Sequence, residues 1–236
     1  DRVQAWESGE RIAPISVDMA LTRACGAMCT FCYAMVQESQ ERSSVKTPVA
    51  LKLVDDFERL GIRSVSLVSD GESTLSPAYV PFIKHAYDAG IDVGNGTNGW
   101  EWEPEKIEQV LPYLTWVRFT VAAGRPNTYA DMMYKGPEHT EVFDRAMANI
   151  KYAVDLKRRK SLPVTLGIQM VLMPGMGEEI LPFAQLGIDL GVDYAVIKHC
   201  SDDEQGSLAI DYSRYDEMYS LLEKAEAMST DNTKII

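Results

Sequence analysis

Three cysteines stand close together near the start of this chain, in the segment ACGAMCTFCYA at residues 24–34. Cys25, Cys29 and Cys32 follow the spacing C-x3-C-x2-C, and soft thiolate ligands select zinc, copper(I) or an iron–sulfur cluster. A closed tetrahedral zinc site needs a fourth ligand, for which the candidates are Cys200, His199, His139 and His85. A cubane of four irons with one iron left open needs only the three cysteines. The residue types therefore predict a metal centre and leave both kinds of centre open.

The segments that must position these cysteines alternate between strand-like and helix-like patterns. Apolar strand candidates lie at 15–22, 63–69, 91–97, 115–122, 163–172 and 193–199. Helical patterns lie near 48–60, 78–89, 104–111, 140–159, 177–190 and 212–228. Six β-then-α units predict parallel strands with right-handed crossovers, as in a doubly wound sheet or a partial barrel. We expect one domain from residue 12 to 228, between an N-terminal extension (1–11) and a C-terminal tail (229–236).

Polar motifs follow the ends of several predicted strands. The cysteine segment follows the first strand, SDGEST (69–74) the second, TNG (97–99) the third and KHCSDDE (198–204) the last. Chemistry in parallel α/β folds sits at the carboxyl ends of the strands. We therefore expect these four motifs to meet on one face of the molecule.

With its motifs placed in this way, the chain resembles the radical S-adenosylmethionine (SAM) superfamily. The hallmark C-x3-C-x-aromatic-C of that family is present as Cys25, Cys29, Phe31 and Cys32, followed by Tyr33. SDGEST occupies the place of the family's glycine-glycine-glutamate motif, and TNG recurs after the third strand. The resemblance implies an α/β fold, a partial (β/α)6 TIM-like barrel of parallel strands with outer helices.

The resemblance also implies a cofactor pair and a chemistry. Cys25, Cys29 and Cys32 would carry a [4Fe–4S] cluster, and SAM would chelate the fourth iron through its amine and carboxylate. One electron, from a donor such as a flavodoxin or ferredoxin, would cleave SAM to a 5′-deoxyadenosyl radical that removes hydrogen from a substrate carbon.

Further residues are carried over as contacts of SAM. Phe31 would touch the adenine, the hydroxyl of Thr120 the ribose, and the amide of Gln169 the ribose or carboxylate. The full set of implied SAM contacts is Phe31, Tyr33, Asp70, Gly71, Glu72, Asn98, Thr120, Gln169, Val171 and Ile197. Asp70 departs from the family pattern, which commonly has glycine there.

Strand alternation predicts a polar interior for the barrel. If Thr120 faces inward, Arg118 does too, because side chains two residues apart share a face. The polar residues that interrupt the apolar strands are Asp18, Asn95, Arg118, Gln169 and Lys198. Buried charges need partners, so either Asp18 pairs with Arg118 or Lys198, or a polar ligand does. We expect the interior to accept a polar, anionic portion of a substrate.

The candidate catalytic residues are Arg118, Lys198 and Cys200. Cys200 suits return of a hydrogen atom to a substrate radical, although a lone cysteine at a strand end also suits simple burial. Because the sequence has no second cysteine cluster, a nucleotide, base or small metabolite is preferred over a peptide side chain as substrate. A zinc-stabilised α/β binding module using the same cysteines is the alternative from a different class.

Composition limits the kinds of partner that the protein can bind and indicates the cell compartment in which it works. The formal net charge of −12 over 236 residues disfavours unassisted binding to nucleic acid. No apolar run approaches the roughly 20 residues of a membrane span. With only four cysteines, three of them crowded, a reducing compartment fits better than a secreted disulfide framework. These features predict a cytoplasmic protein without a membrane partner.

Overall fold

The protein is built on one sheet of parallel strands, seen in a computed structural model that describes residues 2–32, 43–68, 70–134 and 136–236. Seven strands lie in the sheet in the order in which they occur in the chain. They are β1 (Ser16–Asp18), β2 (Ser64–Leu67), β3 (Asp92–Thr97), β4 (Trp116–Thr120), β5 (Thr165–Leu172), β6 (Tyr194–His199) and β7 (Lys234–Ile235). Every neighbouring pair is parallel.

Helices flank this sheet. Those described are α1 (Arg2–Glu7), α2 (Thr47–Leu60), α3 (Tyr79–Asp88), α4 (Pro104–Val110), α5 (Pro126–Tyr134), α6 (Glu141–Lys160), α7 (Ile180–Leu190) and α8 (Tyr219–Glu226). None of these helices combines the length and apolar character required to cross a membrane.

The strand order decides between the two architectures that the sequence left open. A doubly wound sheet reverses its strand order part-way, which places helices on both faces. Here each right-handed crossover advances the sheet in the same direction, so the crossover helices fall on one face and the other face is left concave. The predicted partial TIM-like barrel is confirmed.

Alternate residues of each strand face the two sides of this sheet. In β4, Val117 and Phe119 are fully buried, whereas Trp116, Arg118 and Thr120 are partly exposed. Phe119 packs against the fully buried Trp102, with ring centres 5.7 Å apart, and it lies beside Gly99, which also contacts Ile150 of α6. The buried set therefore faces the helices, and Trp116, Arg118 and Thr120 face the concave interior.

The strand register corrects the predicted direction of two side chains. Asn95 is paired with Val117, so it faces the helices and not the interior, where it is fully buried. Neither polar atom of its amide has a partner within the described residues. Ile197 is paired with Met170, which is fully buried, so it also lies on the helix-facing side.

Two regions differ from the predicted elements. Residues 229–236, expected as a tail, contain β7, whose Ile235 is buried and which adds a seventh strand beside β6. Two paired residues are too few to show a strand period in the sequence. Helix α5 lies in the connection after β4, where no helix was predicted. Its nine residues include Asn, Thr and Tyr, which are only moderate helix formers, so packing and not propensity decides its formation.

Candidate active site

The cysteine segment that follows β1, called the cysteine loop from here on, is hydrogen-bonded to the last turn of α5. The backbone N–H of Met28 donates to the carbonyl of Met133 (2.8 Å), and that of Thr30 donates to the carbonyl of Met132 (2.9 Å). The sulfur of Cys29 lies 3.4 Å from the sulfur of Met133. Helix α5 therefore uses carbonyl groups that have no partner inside the helix to position the loop.

All three cysteines of the loop are partly buried. Burial raises the pKa of the Cys25 thiol to about 12. Burial also raises the pKa of Cys29, and the neighbouring Cys32 and Cys25 raise it further, because a second thiolate nearby disfavours the charged form. Without a cation the thiols of Cys25 and Cys29 stay protonated at neutral pH. A bound metal centre would reverse this preference, since its positive charge stabilises thiolates.

The donor set and its surroundings fit an iron–sulfur cubane. No three His, Cys, Asp or Glu side chains of the described residues are grouped closely enough to share one metal ion. A cubane is held differently, because each thiolate binds a different iron. Three buried polar atoms near the loop also have no protein partner in the described ranges: Trp100 Nε1, Tyr129 OH and Tyr134 OH.

These aromatic residues lie beside the cysteines. The rings of Trp100 and Tyr134 meet edge to face with centres 5.4 Å apart, and those of Tyr129 and Tyr134 lie 6.4 Å apart. Burial raises the pKa of Tyr134, and the nearby charges of Tyr129 and Cys29 add to the effect. Buried N–H and O–H groups without acceptors are costly, and the sulfide ions of a cluster are acceptors that would satisfy them.

Glu72 joins the loops that follow β2 and β3. It is 2% exposed, and its carboxylate accepts hydrogen bonds from Thr74 Oγ1 (2.7 Å), Thr97 Oγ1 (2.9 Å) and the backbone N–H of Asn98 (2.7 Å). The N–H of Thr74 donates as well, at 3.3 Å. Burial raises the pKa of Glu72 and these hydrogen bonds oppose the rise. Protein donors thus occupy the carboxylate that was expected to contact SAM.

The loop after β2 is also fastened to the cysteine loop. The N–H of Glu72 donates to the carbonyl of Ala24, one residue before the first cysteine (2.8 Å). Gly71 has φ +77°, and a Cβ there would lie 2.3 Å from the carbonyl oxygen of Thr22. Only glycine permits that approach. Asp70, which stands at the family's glycine position, forms an ion pair with Arg23 at 3.6 Å.

Asn98 and Glu101 form a further link to the cysteine loop. The amide nitrogen of Asn98 donates to Glu101 Oε2 (2.8 Å), and the same oxygen accepts from the N–H of Gly26 (3.3 Å). Sequence reasoning selected Asn98 and missed Glu101. The sequence does contain a signal for Glu101, because an acidic residue three positions after an asparagine can accept a hydrogen bond from its side-chain amide.

Three predicted SAM contacts share the concave face of the sheet. Thr120 is paired with Gln169 across β4 and β5, and Val171 lies two residues further along the same face. The Oε1 atom of Gln169 is buried without a partner in the described structure. Ile197 lies on the opposite face, so the structure does not join it with Val171 in one apolar surface.

Other predicted contacts are placed as follows. Phe31 is partly buried and packs against the core beside the cysteines. Tyr33 lies outside the described residues. The guanidinium of Arg125, in the loop after β4, pairs with Glu179 and Glu178, each at 3.3 Å.

Glu179 is a structural residue that sequence reasoning missed. It is fully buried and accepts from the backbone N–H groups of Gly124 (3.0 Å) and Arg125 (3.1 Å) and from Thr128 Oγ1 (2.8 Å). The carboxylate thereby fastens the start of α5 to the start of α7. Since α5 holds the cysteine loop, Glu179 supports the site from a distance.

The residues after β6 mainly form hydrogen bonds that stabilise their own loop. Cys200 is 1% exposed, and its N–H donates to the carbonyl of Leu172 and to Tyr215 OH, each at 3.0 Å. Desolvation opposes a low pKa for Asp202, but the N–H groups of Leu208, Ile210 and Asp203 outweigh it and lower that pKa. Asp203 accepts in the same way from the N–H groups of Gln205 and Ser207.

Of the two alternatives for the charges inside the barrel, the pairing of Asp18 with Arg118 or Lys198 does not form in the described residues. Arg118 and Lys198 face the concave interior on β4 and β6, and Asp18 faces it on β1. Within the described ranges no ion pair joins Asp18 to either cation. The reason is distance across the sheet, because β2 and β3 lie between β1 and β4.

Comparison with known proteins gives one family and a consistent fold. The description "Radical SAM superfamily" matches residues 19–186. Among curated proteins, none matches the sequence. SuiB of Streptococcus suis, in a structure with bound S-adenosylmethionine, has a TM-score of 0.74 at 15% identity, over 99% of this chain and 52% of SuiB.

Two further solved structures share the fold. anSMEcpe with bound AdoMet has a TM-score of 0.69 at 14% identity, over 94% of this chain and 64% of that one. TYW1 with a lysine–pyruvate adduct has a TM-score of 0.63 at 18% identity, over 90% of this chain and 71% of that one. This chain thus spans about half the length of SuiB and under two thirds of anSMEcpe.

Proposed function

The chain belongs to the radical SAM superfamily, whose enzymes use a [4Fe–4S] cluster and SAM, and on this premise we propose how its own residues serve that chemistry. Cys25, Cys29 and Cys32 would hold the cluster, each on a different iron. When bound, the cluster and SAM supply a 5′-deoxyadenosyl radical that removes hydrogen from a substrate carbon. The remaining tasks fall to the protein, which has to position the reactants, exclude water and recognise the substrate.

The observation that carries this proposal is the set of unsatisfied donors around the cysteine loop. Trp100 Nε1, Tyr129 OH and Tyr134 OH are buried beside the thiols and have no acceptor in the described part of the chain. Each unpaired buried group costs about 1–3 kcal/mol. A ligand rich in acceptors at this position relieves that cost, and a cluster with bridging sulfides is such a ligand.

SAM would lie between the cysteine loop and the concave ends of β4 and β5. Gln169 supports this position, because it is 6% exposed and its Oε1 lacks a donor in the described residues. A ribose hydroxyl or the SAM amine is a donor of the required kind. Thr120 lies beside it in the neighbouring strand, and Val171 provides an apolar surface further along the same face.

The substrate is a polar molecule held in the concave interior. A nucleotide, base or small metabolite is the first candidate, because the polar side chains of Arg118, Gln169 and Lys198 lie on the concave face of the sheet. A peptide is the second. It is favoured by the similarity to SuiB, solved with its precursor peptide SuiA, and to anSMEcpe, solved with the Cp18Cys peptide. A flavodoxin or ferredoxin in a cytoplasmic setting would supply the electron.

Anaerobic reconstitution tests the proposed function. The protein should turn brown, bind about four irons and four sulfides per chain, and form 5′-deoxyadenosine from SAM when reduced. Iron and sulfide analysis with chromatography of the nucleoside products measures both. A colourless protein with one zinc and no SAM cleavage would establish the binding-module alternative instead.

A separate prediction isolates the role of Gln169. Replacing it with leucine should weaken SAM binding about tenfold, as loss of one hydrogen bond of about 1.4 kcal/mol requires. The free energy of unfolding should not fall, because the substitution removes an amide whose Oε1 is unsatisfied. Equilibrium dialysis with SAM and urea unfolding measure the two quantities.

Asn95→Leu is the matched control for this prediction. It removes a buried amide from the opposite, helix-facing side of the same sheet, where both polar atoms of Asn95 lack a partner in the described residues. SAM affinity should stay within twofold of the original protein. Equal losses of SAM affinity in both variants would show that Gln169 acts only through the packing of the sheet.

A further inference from the structure

The indole ring of Trp100 lies directly against the cysteine loop. A Cβ on Gly26, between Cys25 and Cys29, would lie 2.9 Å from Cζ2 of that ring. In an indole, Cζ2 and Nε1 are bonded to the same ring carbon, so both atoms belong to one edge of the ring. The edge that carries the N–H group therefore faces the backbone that joins the first two cysteines.

Contacts with two helices fix the orientation of this ring. Asn149 of α6 donates its amide to the carbonyl of Gly99 (2.9 Å) and to that of Trp100 (3.3 Å). The guanidinium carbon of Arg145, also in α6, stands 5.3 Å from the centre of the Trp100 ring. Tyr134 of α5 meets the same ring edge to face, with ring centres 5.4 Å apart. The indole therefore cannot turn away from the loop without breaking these contacts.

Glu101, the next residue, holds the loop against the ring. Its Oε2 atom accepts from the N–H of Gly26 (3.3 Å) and from the amide of Asn98 (2.8 Å). A Cβ on Gly26 would collide with the Oε1 atom of the same carboxylate. Two consecutive residues thus contact one glycine of the cysteine loop, and the distance between the indole and the loop is set within a single short segment.

The Nε1 atom of Trp100 is enclosed and has no acceptor among the described residues. An enclosed N–H group without an acceptor is unfavourable, so we expect the complete site to provide one. The proposed function would place the sulfurs of a [4Fe–4S] cluster at the cysteine loop. Thiolate and sulfide sulfurs are acceptors, and hydrogen bonds to them are among the features that set the potential of a cluster.

We propose that Trp100 donates its Nε1–H to a sulfur of the cluster and thereby raises the reduction potential of that cluster. This inference rests on the proposed function, because it assigns a role toward the same cluster. Reduction adds one negative charge to the cluster, so a hydrogen-bond donor stabilises the reduced form more than the oxidised form. Trp100 then controls how easily the electron enters, and Glu101 is a positioning residue that keeps the loop within reach of the indole.

Trp100→Phe tests this role, because it removes the N–H and keeps an aromatic ring. The equilibrium between oxidised and reduced cluster is measured in anaerobically reconstituted protein without SAM, by a redox titration followed by electron paramagnetic resonance. We expect a shift of about threefold or more toward the oxidised cluster. Water entering beside a smaller ring would shift the equilibrium the other way, because water stabilises the more highly charged, reduced cluster. The sign therefore separates a lost donor from lost packing.

Trp102→Phe is the matched control. The Nε1 atom of Trp102 also lacks a partner in the described part of the chain, but this fully buried ring packs on Phe119, on the helix-facing side of the sheet. This substitution should shift the reduction equilibrium by less than about 1.5-fold. Equal shifts in the two variants, no shift in Trp100→Phe, or a shift toward the reduced cluster in Trp100→Phe would each overturn the inference.

A second variant decides the case in which Trp100→Phe loads no cluster. The amino acid 3-benzothienylalanine at position 100 keeps nearly the shape of the indole and replaces only its N–H with sulfur. A shift toward the oxidised cluster, or failure to load the cluster, would support the inference, because only the donor is missing. A loaded cluster with the reduction equilibrium of the original protein would overturn it.

The outcome is separable from the proposed function. Original protein that loads the cluster and cleaves SAM, together with an unshifted equilibrium in Trp100→Phe, refutes the role of Trp100 alone. A shifted equilibrium in a protein that never cleaves SAM supports the role of Trp100 and refutes the radical chemistry. Original protein that binds no iron refutes both, and iron analysis identifies this case before any titration.

Discussion

Replacing Cys29 with alanine should abolish both iron loading and formation of 5′-deoxyadenosine. The cubane needs one thiolate on each of three irons, so losing one leaves a second iron without a protein ligand. Cys29 is chosen because its sulfur lies 3.4 Å from the sulfur of Met133, at the contact between the cysteine loop and α5. We expect iron per chain to fall to near zero after anaerobic reconstitution, measured by colorimetric iron analysis and visible absorption.

Cys200→Ala is the matched control for this substitution. Cys200 is buried at the end of β6, outside the loop that carries the other three cysteines. Its loss should leave the iron content unchanged at a cost of about 1 kcal/mol in stability, from the small cavity. If Cys29→Ala and Cys200→Ala lost metal equally, and that metal were zinc, the four cysteines would form a structural site.

Replacing Glu72 with glutamine should disrupt the site with almost no change of shape. The carboxylate accepts from two backbone N–H groups and two hydroxyls, and glutamine offers an N–H₂ group in place of one acceptor oxygen. At least one buried donor is then left unpaired, which costs about 1–3 kcal/mol. Urea unfolding should show this loss, and iron loading should fall because the loop after β3, which contacts the cysteine loop through Asn98 and Glu101, is held less firmly by the side chain at position 72.

Asp202→Asn provides the comparison. Its carboxylate also accepts several backbone N–H groups, but in an exposed loop beyond β6. Water can replace those bonds, so we expect a smaller loss of stability than in Glu72→Gln and unchanged iron loading. Equal effects of the two substitutions on iron loading would show that Glu72 does not organise the cysteine loop.

The order of the elements and the face that carries the chemistry were predictable. Both follow from local information, since strand-like segments alternate with helices and the special motifs come directly after strands. Parallel strands bring their carboxyl ends to one edge whatever the details of packing. Cys25, Gly71 and Asn98, distant in the chain, could therefore be expected to converge.

The direction of single side chains was less predictable. Alternation relates residues within a strand, but which face is buried depends on the register with neighbouring strands. Asn95 is polar and was expected inside the barrel, yet pairing with Val117 turns it toward the helices. Ile197 is apolar and was expected near SAM, yet pairing with Met170 turns it away from Val171.

The residues and the helix that hold the cysteine loop in place were not predictable, for a further reason. Glu101, Glu179 and α5 act through contacts between segments far apart in the chain. An acidic residue destined for full burial looks the same in the sequence as one on a solvated surface. Asp70 illustrates this, because its presence in place of glycine is understandable only once its ion pair with Arg23 is seen.

The attachment of the cysteine loop to α5 has a consequence for biosynthesis. The backbone bonds from Met28 and Thr30 to Met133 and Met132 join segments roughly 100 residues apart. At translation rates of about 5–20 residues per second, the thiols leave the ribosome about 5–20 s before the helix that encloses them exists. During that interval they are accessible to oxidants and stray metal ions. Iron that arrives after α5 has formed meets thiols that the hydrogen bonds to Met132 and Met133 already position.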